Sequence, residues 1–113
     1  MKKLLVILLL FFPVHGAWGI DKIKNYWCKK KAAKAKTEVA AGVIYRSCYS
    51  GNKLTYSCGK KAAKAKTVLA ANRIISGCYF GDKRKYSCGK KAAKAKNISV
   101  AEVIYRACYY NDY

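Results

Sequence analysis

Six cysteines are the side chains of this 113-residue chain whose type and spacing most directly imply chemistry. They fall on two phases of a 30-residue period: Cys28, Cys58 and Cys88 on one, and Cys48, Cys78 and Cys108 on the other. An even number of regularly spaced cysteines is typical of disulfide-stabilised exported proteins. No Cys-x-x-Cys pair places two thiolates at zinc-ligand spacing. The sequence therefore predicts three structural disulfides, with no metal site and no other cofactor.

The repeat leaves two symmetric disulfide schemes open. Pairing within each unit gives Cys28–Cys48, Cys58–Cys78 and Cys88–Cys108. Pairing across the connectors gives Cys48–Cys58 and Cys78–Cys88, closed by Cys28–Cys108. A continuous helix over 29–48 would separate its end cysteines by about 30 Å, whereas a disulfide requires Cα atoms within roughly 7 Å. Pairing within a unit therefore requires a break near Thr37, and we favour it because it makes each duplicated unit self-sufficient.

Twelve lysines form a second candidate site. The block Lys-Lys-Ala-Ala-Lys-Ala-Lys recurs unchanged at 30–36, 60–66 and 90–96. Clustered lysines bind polyanions favourably because binding releases condensed counterions. The alternative interpretation is a solvated face that keeps a tyrosine-rich protein soluble. The candidate anion-binding residues are Lys30, Lys31, Lys34, Lys36, Lys60, Lys61, Lys64, Lys66, Lys90, Lys91, Lys94 and Lys96.

The first 19 residues have the layout of a secretory signal peptide. Lys2 and Lys3 precede a nine-residue apolar run at 4–12, and Ala17 and Gly19 provide the small side chains of a cleavage site. The apolar run is too short to span a bilayer comfortably. Cleavage after Gly19 would leave 22 basic and 5 acidic side chains, a net charge of +17. Such a charge favours acidic macromolecular partners over a small-molecule substrate.

The same cleavage would remove His15, the single histidine of the chain. Without an imidazole, acid–base catalysis near neutral pH lacks its usual group. The acidic residues do not form a carboxylate pair at motif spacing: they are Asp21, Glu38, Asp82, Glu102 and Asp112. Neither a nucleophile elbow nor a phosphate-binding glycine loop occurs in the sequence. We therefore expect no enzymatic activity.

Each unit contains one clear helical pattern in its second half. Apolar residues recur every four positions, as in Ala40, Ile44 and Cys48. Helices are predicted near 38–50, 68–80 and 98–110. Each is preceded by a residue that favours the N-cap, and these residues are Thr37, Thr67 and Asn97. Each is followed by a residue that tolerates the left-handed conformation, and these are Gly51, Gly81 and Asn111.

The remaining segments complete the predicted organisation. Residues 53–57 and 83–87 are predicted to be short extended connectors, and the lysine blocks either extend the helices or form straight arms. The expected fold is mainly α with short extended connectors, in a small disulfide-rich protein of three tandem repeats of about 30 residues. The predicted segments are 1–19 as signal peptide, 20–27 as a lead, and the repeats 28–57, 58–87 and 88–113.

An aromatic–x–Cys motif ends at the first cysteine of each repeat, as Tyr26-Trp27-Cys28, Tyr56-Ser57-Cys58 and Tyr86-Ser87-Cys88. With the signal peptide and the cysteine-bounded helix, this motif resembles the small secreted effector candidates of powdery mildews and related plant-pathogenic fungi. Residues 56–78 are also similar to the opening strand and helix of small fungal guanine-specific ribonucleases. The chain lacks a counterpart of the catalytic Glu and His of those ribonucleases. The resemblance implies secretion toward a host and interference there without catalysis.

These observations predict a secreted, non-enzymatic virulence effector that binds an acidic partner, such as RNA or an acidic host protein, through its lysine blocks. Its tyrosines could stack on bases, but tyrosines at repeat-equivalent positions are more often packing residues. The main alternative is a cationic antimicrobial or membrane-active protein that acts on an anionic membrane surface. An extracellular structural or matrix-binding repeat protein is a third interpretation. Asn97-Ile98-Ser99 is also a glycosylation sequon, although Asn97 could act only as a helix cap.

Overall fold

The computed structural model describes residues 21–110, and the regular structure within them is entirely α-helical. The predicted mainly α, disulfide-rich fold is therefore confirmed. None of the helices in this range is long and apolar enough to cross a membrane. The predicted signal peptide at 1–19 and the predicted helix end at Asn111 lie outside the described residues. The helices are α1 (21–32), α2 (Glu38–Ser50), α3 (Lys53–Ala62), α4 (Val68–Phe80), α5 (Lys83–Ala92) and α6 (Ile98–Tyr109).

The helices form three hairpins, each closed by a disulfide within its own unit. Cys28–Cys48 joins α1 to α2, Cys58–Cys78 joins α3 to α4, and Cys88–Cys108 joins α5 to α6. The Cα–Cα distances are 5.6, 5.6 and 5.5 Å, respectively. Pairing within the units is therefore the correct scheme, and pairing across the connectors is wrong.

The break that this pairing requires lies where the cap residues predict it. Thr37 Oγ1 accepts a hydrogen bond from the backbone N–H of Ala40 at 3.2 Å, and Thr67 does the same for Ala70. Gly51 and Gly81 end α2 and α4 in the left-handed conformation, at φ 79° and 72°. Each long helix thus has the start that its sequence encodes, and α2 and α4 have the encoded end as well.

The extended connectors predicted at 53–57 and 83–87 are wrong, because these residues form the first turns of α3 and α5. Asn52 and Asp82 are the N-caps, and their Oδ1 atoms accept from backbone N–H groups three residues later. The lysine blocks match neither predicted alternative. Residues 30–32, 60–62 and 90–92 end the short helices, and the following residues form the hairpin turns.

The hairpins stack side by side into one array. The long helices α2, α4 and α6 pack in succession, while α3 packs against α2 and α4, and α5 packs against α4 and α6. The backbone N–H of Lys36 donates to the carbonyl of Ala63 at 2.9 Å, and that of Lys66 donates to the carbonyl of Ala93 at 3.1 Å. Successive units are therefore joined by backbone hydrogen bonds as well as by their apolar faces.

Candidate anion-binding surface

The lysine blocks lie at the tips of the hairpins, with their lysines outward and several of their alanines inward. All twelve block lysines are exposed. The third residue of each block is a buried alanine, and these are Ala32, Ala62 and Ala92. Ala65 and Ala95 are buried as well. The alternation of lysine and alanine therefore has a structural cause, since small side chains fit between units while the ammonium groups stay in water.

The local structure places the first two lysines of each block in the last turn of a short helix. Cations are favoured there because the carbonyl end of a helix carries partial negative charge. The other two lysines of each block lie in the hairpin turn. Each block therefore places four exposed lysines within seven residues at the tip of a hairpin. Three such tips follow one another along the array.

Tyrosine rings connect the lysines of neighbouring units. The Lys31 Nζ lies 5.9 Å from the centroid of the Tyr56 ring, and the Lys60 Nζ lies 5.7 Å from the same centroid. Tyr86 has the equivalent neighbours, with Lys61 at 5.8 Å and Lys90 at 5.7 Å. Tyr56 and Tyr86 therefore each lie next to one lysine of their own hairpin and one lysine of the preceding hairpin.

The first unit begins the same arrangement. The Lys30 Nζ lies 5.4 Å from the Tyr26 ring and 5.3 Å from the Trp27 ring. We call the whole set the lysine–tyrosine row. Its members are Lys30, Lys31, Lys60, Lys61 and Lys90 with Tyr26, Tyr56 and Tyr86. The row has lysines in all three hairpins.

Cation–π contacts orient these lysines without neutralising them. Such contacts contribute about 0.5–1 kcal/mol each at exposed positions. Among residues 21–110, no block lysine forms an ion pair with a carboxylate. The ammonium charges of the row therefore remain available to a ligand, and they are partly fixed in place before it arrives.

A small cleft opens at each junction between units, next to the row. The first has a volume of about 280 Å³ and is lined by Lys31, Ser47, Cys48, Gly51, Asn52, Lys53 and Tyr56. The second has about 190 Å³ and is lined by Lys61, Gly77, Cys78, Gly81, Lys83 and Tyr86. Except for Asn52, each residue that lines the first cleft has its repeat-equivalent in the second. Each cleft brings together lysines from two units, which suits an anionic group that spans the junction.

A different set of contacts lies on the side of α6. Arg73 stacks over Tyr105 at 5.0 Å, and Arg84 lies 5.6 Å from the centroid of Tyr109. Burial raises the pKa of Tyr105, and the positive charge of Arg73 partly opposes that rise. Within residues 21–110, no group of three or more histidine, cysteine or acidic side chains could hold a metal ion.

The structure brings the candidate lysines and tyrosines together in a way that the sequence interpretation missed. Packing is the expected role of the three motif tyrosines. Tyr86 does pack against the buried core cluster, and Tyr56 and Tyr86 each also lie between two lysine side chains. One signal was available. Tyr26 and Lys30, Tyr56 and Lys60, and Tyr86 and Lys90 are each four residues apart, which places them on one helix face. If residues 53–57 and 83–87 were extended, as predicted, Tyr56 and Tyr86 would not be helical neighbours of Lys60 and Lys90.

No protein-family model matches this chain, and no curated protein or solved structure is similar to it. Residues 56–58, which the ribonuclease resemblance would place in a strand, lie inside α3. The fold and the surface define the chain as an array of three disulfide-closed helical hairpins, each of which contributes lysines to the row.

Proposed function

We propose that this chain is a secreted, non-enzymatic effector that acts on a host by binding an acidic polymer, with RNA as the favoured partner. The observation that carries the proposal is the lysine–tyrosine row. It has lysines in all three hairpins, whereas a site for one small anion would involve at most the two hairpins of one junction. Three disulfides are typical of proteins that work in an oxidising, extracellular compartment, which supports the secreted part of the proposal.

RNA is favoured over a compact acidic protein by the form of the row. A single strand presents regularly spaced phosphates and unstacked bases along one direction. Positively charged grooves with interleaved aromatic rings bind such strands with little sequence preference. Because the tyrosine faces of the row are next to lysines, we assign the main contribution to phosphate contacts and not to base stacking.

The proposal predicts a defined dependence on salt. Each phosphate contact on a single strand contributes about 0.7 to the slope of log K against log salt concentration. If the five lysines of the row each contact one phosphate, the slope is about −3.5. The affinity of the oxidised protein for an unstructured RNA of about 20 nucleotides, longer than the site of a typical single-strand-binding domain, is measured by fluorescence anisotropy at several salt concentrations and gives this slope directly.

Two variants with the same change in charge test the position of the site. The row variant replaces five lysines by Gln at Lys30, Lys31, Lys60, Lys61 and Lys90. The matched control replaces five exposed basic residues outside the blocks and the clefts by Gln, at Lys22, Lys24, Arg46, Arg84 and Arg106. We expect the row variant to lose on the order of 100-fold in affinity and most of the salt slope. Equal losses in both variants would show that net charge alone binds RNA, and the row would have no special role.

Membrane activity remains the second candidate because large apolar side chains are exposed. Phe80 is 76% exposed, Ile23 59% and Trp27 51%. Aromatic residues beside lysines can enter the headgroup region of an anionic bilayer. Leakage of vesicles containing phosphatidylserine at micromolar protein, abolished by replacing Phe80 and Trp27 with Ser, would support this candidate. Salt-sensitive RNA binding without leakage would support the effector proposal.

A further inference from the structure

The third unit differs from the other two at two neighbouring positions. The N-cap of its long helix is Asn97, where the other units have Thr37 and Thr67. Two residues later it has Ser99, where the other units have the partly buried Val39 and Leu69. Together the two changes produce the Asn-x-Ser sequence Asn97-Ile98-Ser99. The equivalent residues of the other two repeats do not form such a sequence. Either change alone would leave no glycosylation sequon there.

The N-cap of the long helix is exposed in the third unit and buried in the other two. Thr37 and Thr67 are only 8% and 5% exposed, because the next hairpin lies over the start of each long helix. Within the described residues, α6 packs against α4 and α5 and has no helix on its outer side. Asn97 and Ser99 are consequently exposed. The sequon thus occurs in the unit where the described structure leaves room for a large substituent.

The outer side of α6 also exposes apolar side chains. Val100 is 45% exposed and Val103 67%. Val103 corresponds in the repeat to Val43, whose side chain packs against Gly59 of the next hairpin. Repeat arrays usually require a polar covering on the outer face of the last unit to remain soluble. These side chains of α6 do not provide one.

The hydrogen bonding of Asn97 is compatible with a modification on its amide nitrogen. Its Oδ1 accepts from the backbone N–H of Val100 at 2.9 Å and so provides the helix cap. Within residues 21–110, its Nδ2 makes no hydrogen bond. Glycosylation keeps the amide oxygen and one N–H, so the cap survives. A glycan on Nδ2 would begin one helical turn from Val100.

We propose that Asn97 is N-glycosylated and that the glycan covers the outer face of α6. The donor is an oligosaccharide linked through pyrophosphate to a polyisoprenoid lipid. A bond forms between Nδ2 and C1 of the first N-acetylglucosamine, the C1–O bond to pyrophosphate breaks, and the lipid pyrophosphate leaves while the amide loses one proton. The inference rests on the secreted part of the proposed function, with export through a eukaryotic secretory pathway, and it does not depend on RNA binding.

The test is secretion from a eukaryotic host with residues 1–19 replaced by a leader of proven function, so that failure of the native signal peptide cannot interfere. Intact mass is measured before and after treatment with an amidase that removes N-glycans and converts the modified asparagine to aspartate. The expected excess mass is that of one N-linked oligosaccharide, and the enzyme should remove it. Ser99→Thr should keep the glycan, while Ser99→Ala and Asn97→Thr should lose it. Secreted, folded protein with the bare polypeptide mass would overturn the proposal.

The same samples test whether the glycan covers the apolar face. The aspartate that the enzyme leaves is as good an N-cap as asparagine, so the helix start is preserved. We expect the deglycosylated protein to bind more of a hydrophobic dye than the glycosylated protein, and Val103→Lys to remove most of the difference. Identical dye binding by the glycosylated and deglycosylated forms would contradict the covering role even if the glycan is present.

Discussion

Glycine residues allow the hairpins to approach one another closely at their junctions. A Cβ on Gly59 would lie 2.9 Å from the Val43 Cγ1, and one on Gly89 would lie 3.0 Å from the backbone nitrogen of Ile74. A Cβ on Gly77 would lie 2.4 Å from the backbone nitrogen of Tyr86. The equivalent residue of the first unit is Ser47, which has a Cβ and is buried. The second junction must therefore be closer than the first.

Gly77→Ala should be strongly destabilising, because the new methyl group meets backbone and not a flexible side chain. Overpacking of this kind costs typically about 1–3 kcal/mol. Ser47→Ala, which removes only a hydroxyl at the equivalent position, is the matched control and should have a much smaller effect. Urea denaturation of the oxidised proteins gives both free energies of unfolding. If the two substitutions lower the free energy of unfolding equally, α4 and α5 do not approach each other more closely than α2 and α3.

At the scale of the helices, the sequence predicted each long helix because the caps and the apolar spacing agreed. The short helices were missed because their first turns are largely exposed and have no apolar period, as Lys53 and Leu54 illustrate. The signal that could have indicated them is the pair Gly51-Asn52, where a helix-ending glycine is followed directly by an N-cap residue. The lysine–tyrosine row was missed for the same reason, since its i, i+4 pairs exist only if the short segments are helical.

The disulfides should contribute most where a hairpin has neighbours on both sides. Each closes a loop with a sequence separation of 20, and such a loop contributes on the order of 3 kcal/mol. Replacing Cys58 and Cys78 with Ala should lower the stability of the whole array, because the middle hairpin contacts both others. Replacing Cys28 and Cys48 should mainly loosen α1 and α2.

Thermal denaturation and hydrogen exchange distinguish these outcomes. The variant without Cys58 and Cys78 should melt in one transition at a lower temperature than the native protein. Its protection from hydrogen exchange should be reduced in all three units. The variant without Cys28 and Cys48 should lose protection from hydrogen exchange in the first unit, while the other two units keep most of theirs. This is expected for an array with nearest-neighbour contacts. A melt of the native protein that is unchanged by a reducing agent would contradict the stabilising role of all three disulfides.

On the scale of the molecule, the dominant property is unbalanced positive charge. Residues 21–110 contain 22 basic and 4 acidic side chains. Self-repulsion of this size destabilises the folded array, and salt screens it over a Debye length of about 10 Å at 0.1 M. A bound polyanion would relieve the same repulsion. The charge therefore lowers the stability of the free protein and raises its affinity for the proposed partner.

Salt should consequently act on stability and on RNA affinity in opposite directions. Raising sodium chloride from 0.02 to 0.5 M, roughly a change in Debye length from above 20 Å to below 5 Å, should raise the melting temperature while it weakens RNA binding. Replacing all twelve block lysines with Gln should flatten both responses, because the same charges cause both. A variant that loses the salt dependence of stability but binds RNA like the native protein would show that the blocks repel one another without forming the binding surface.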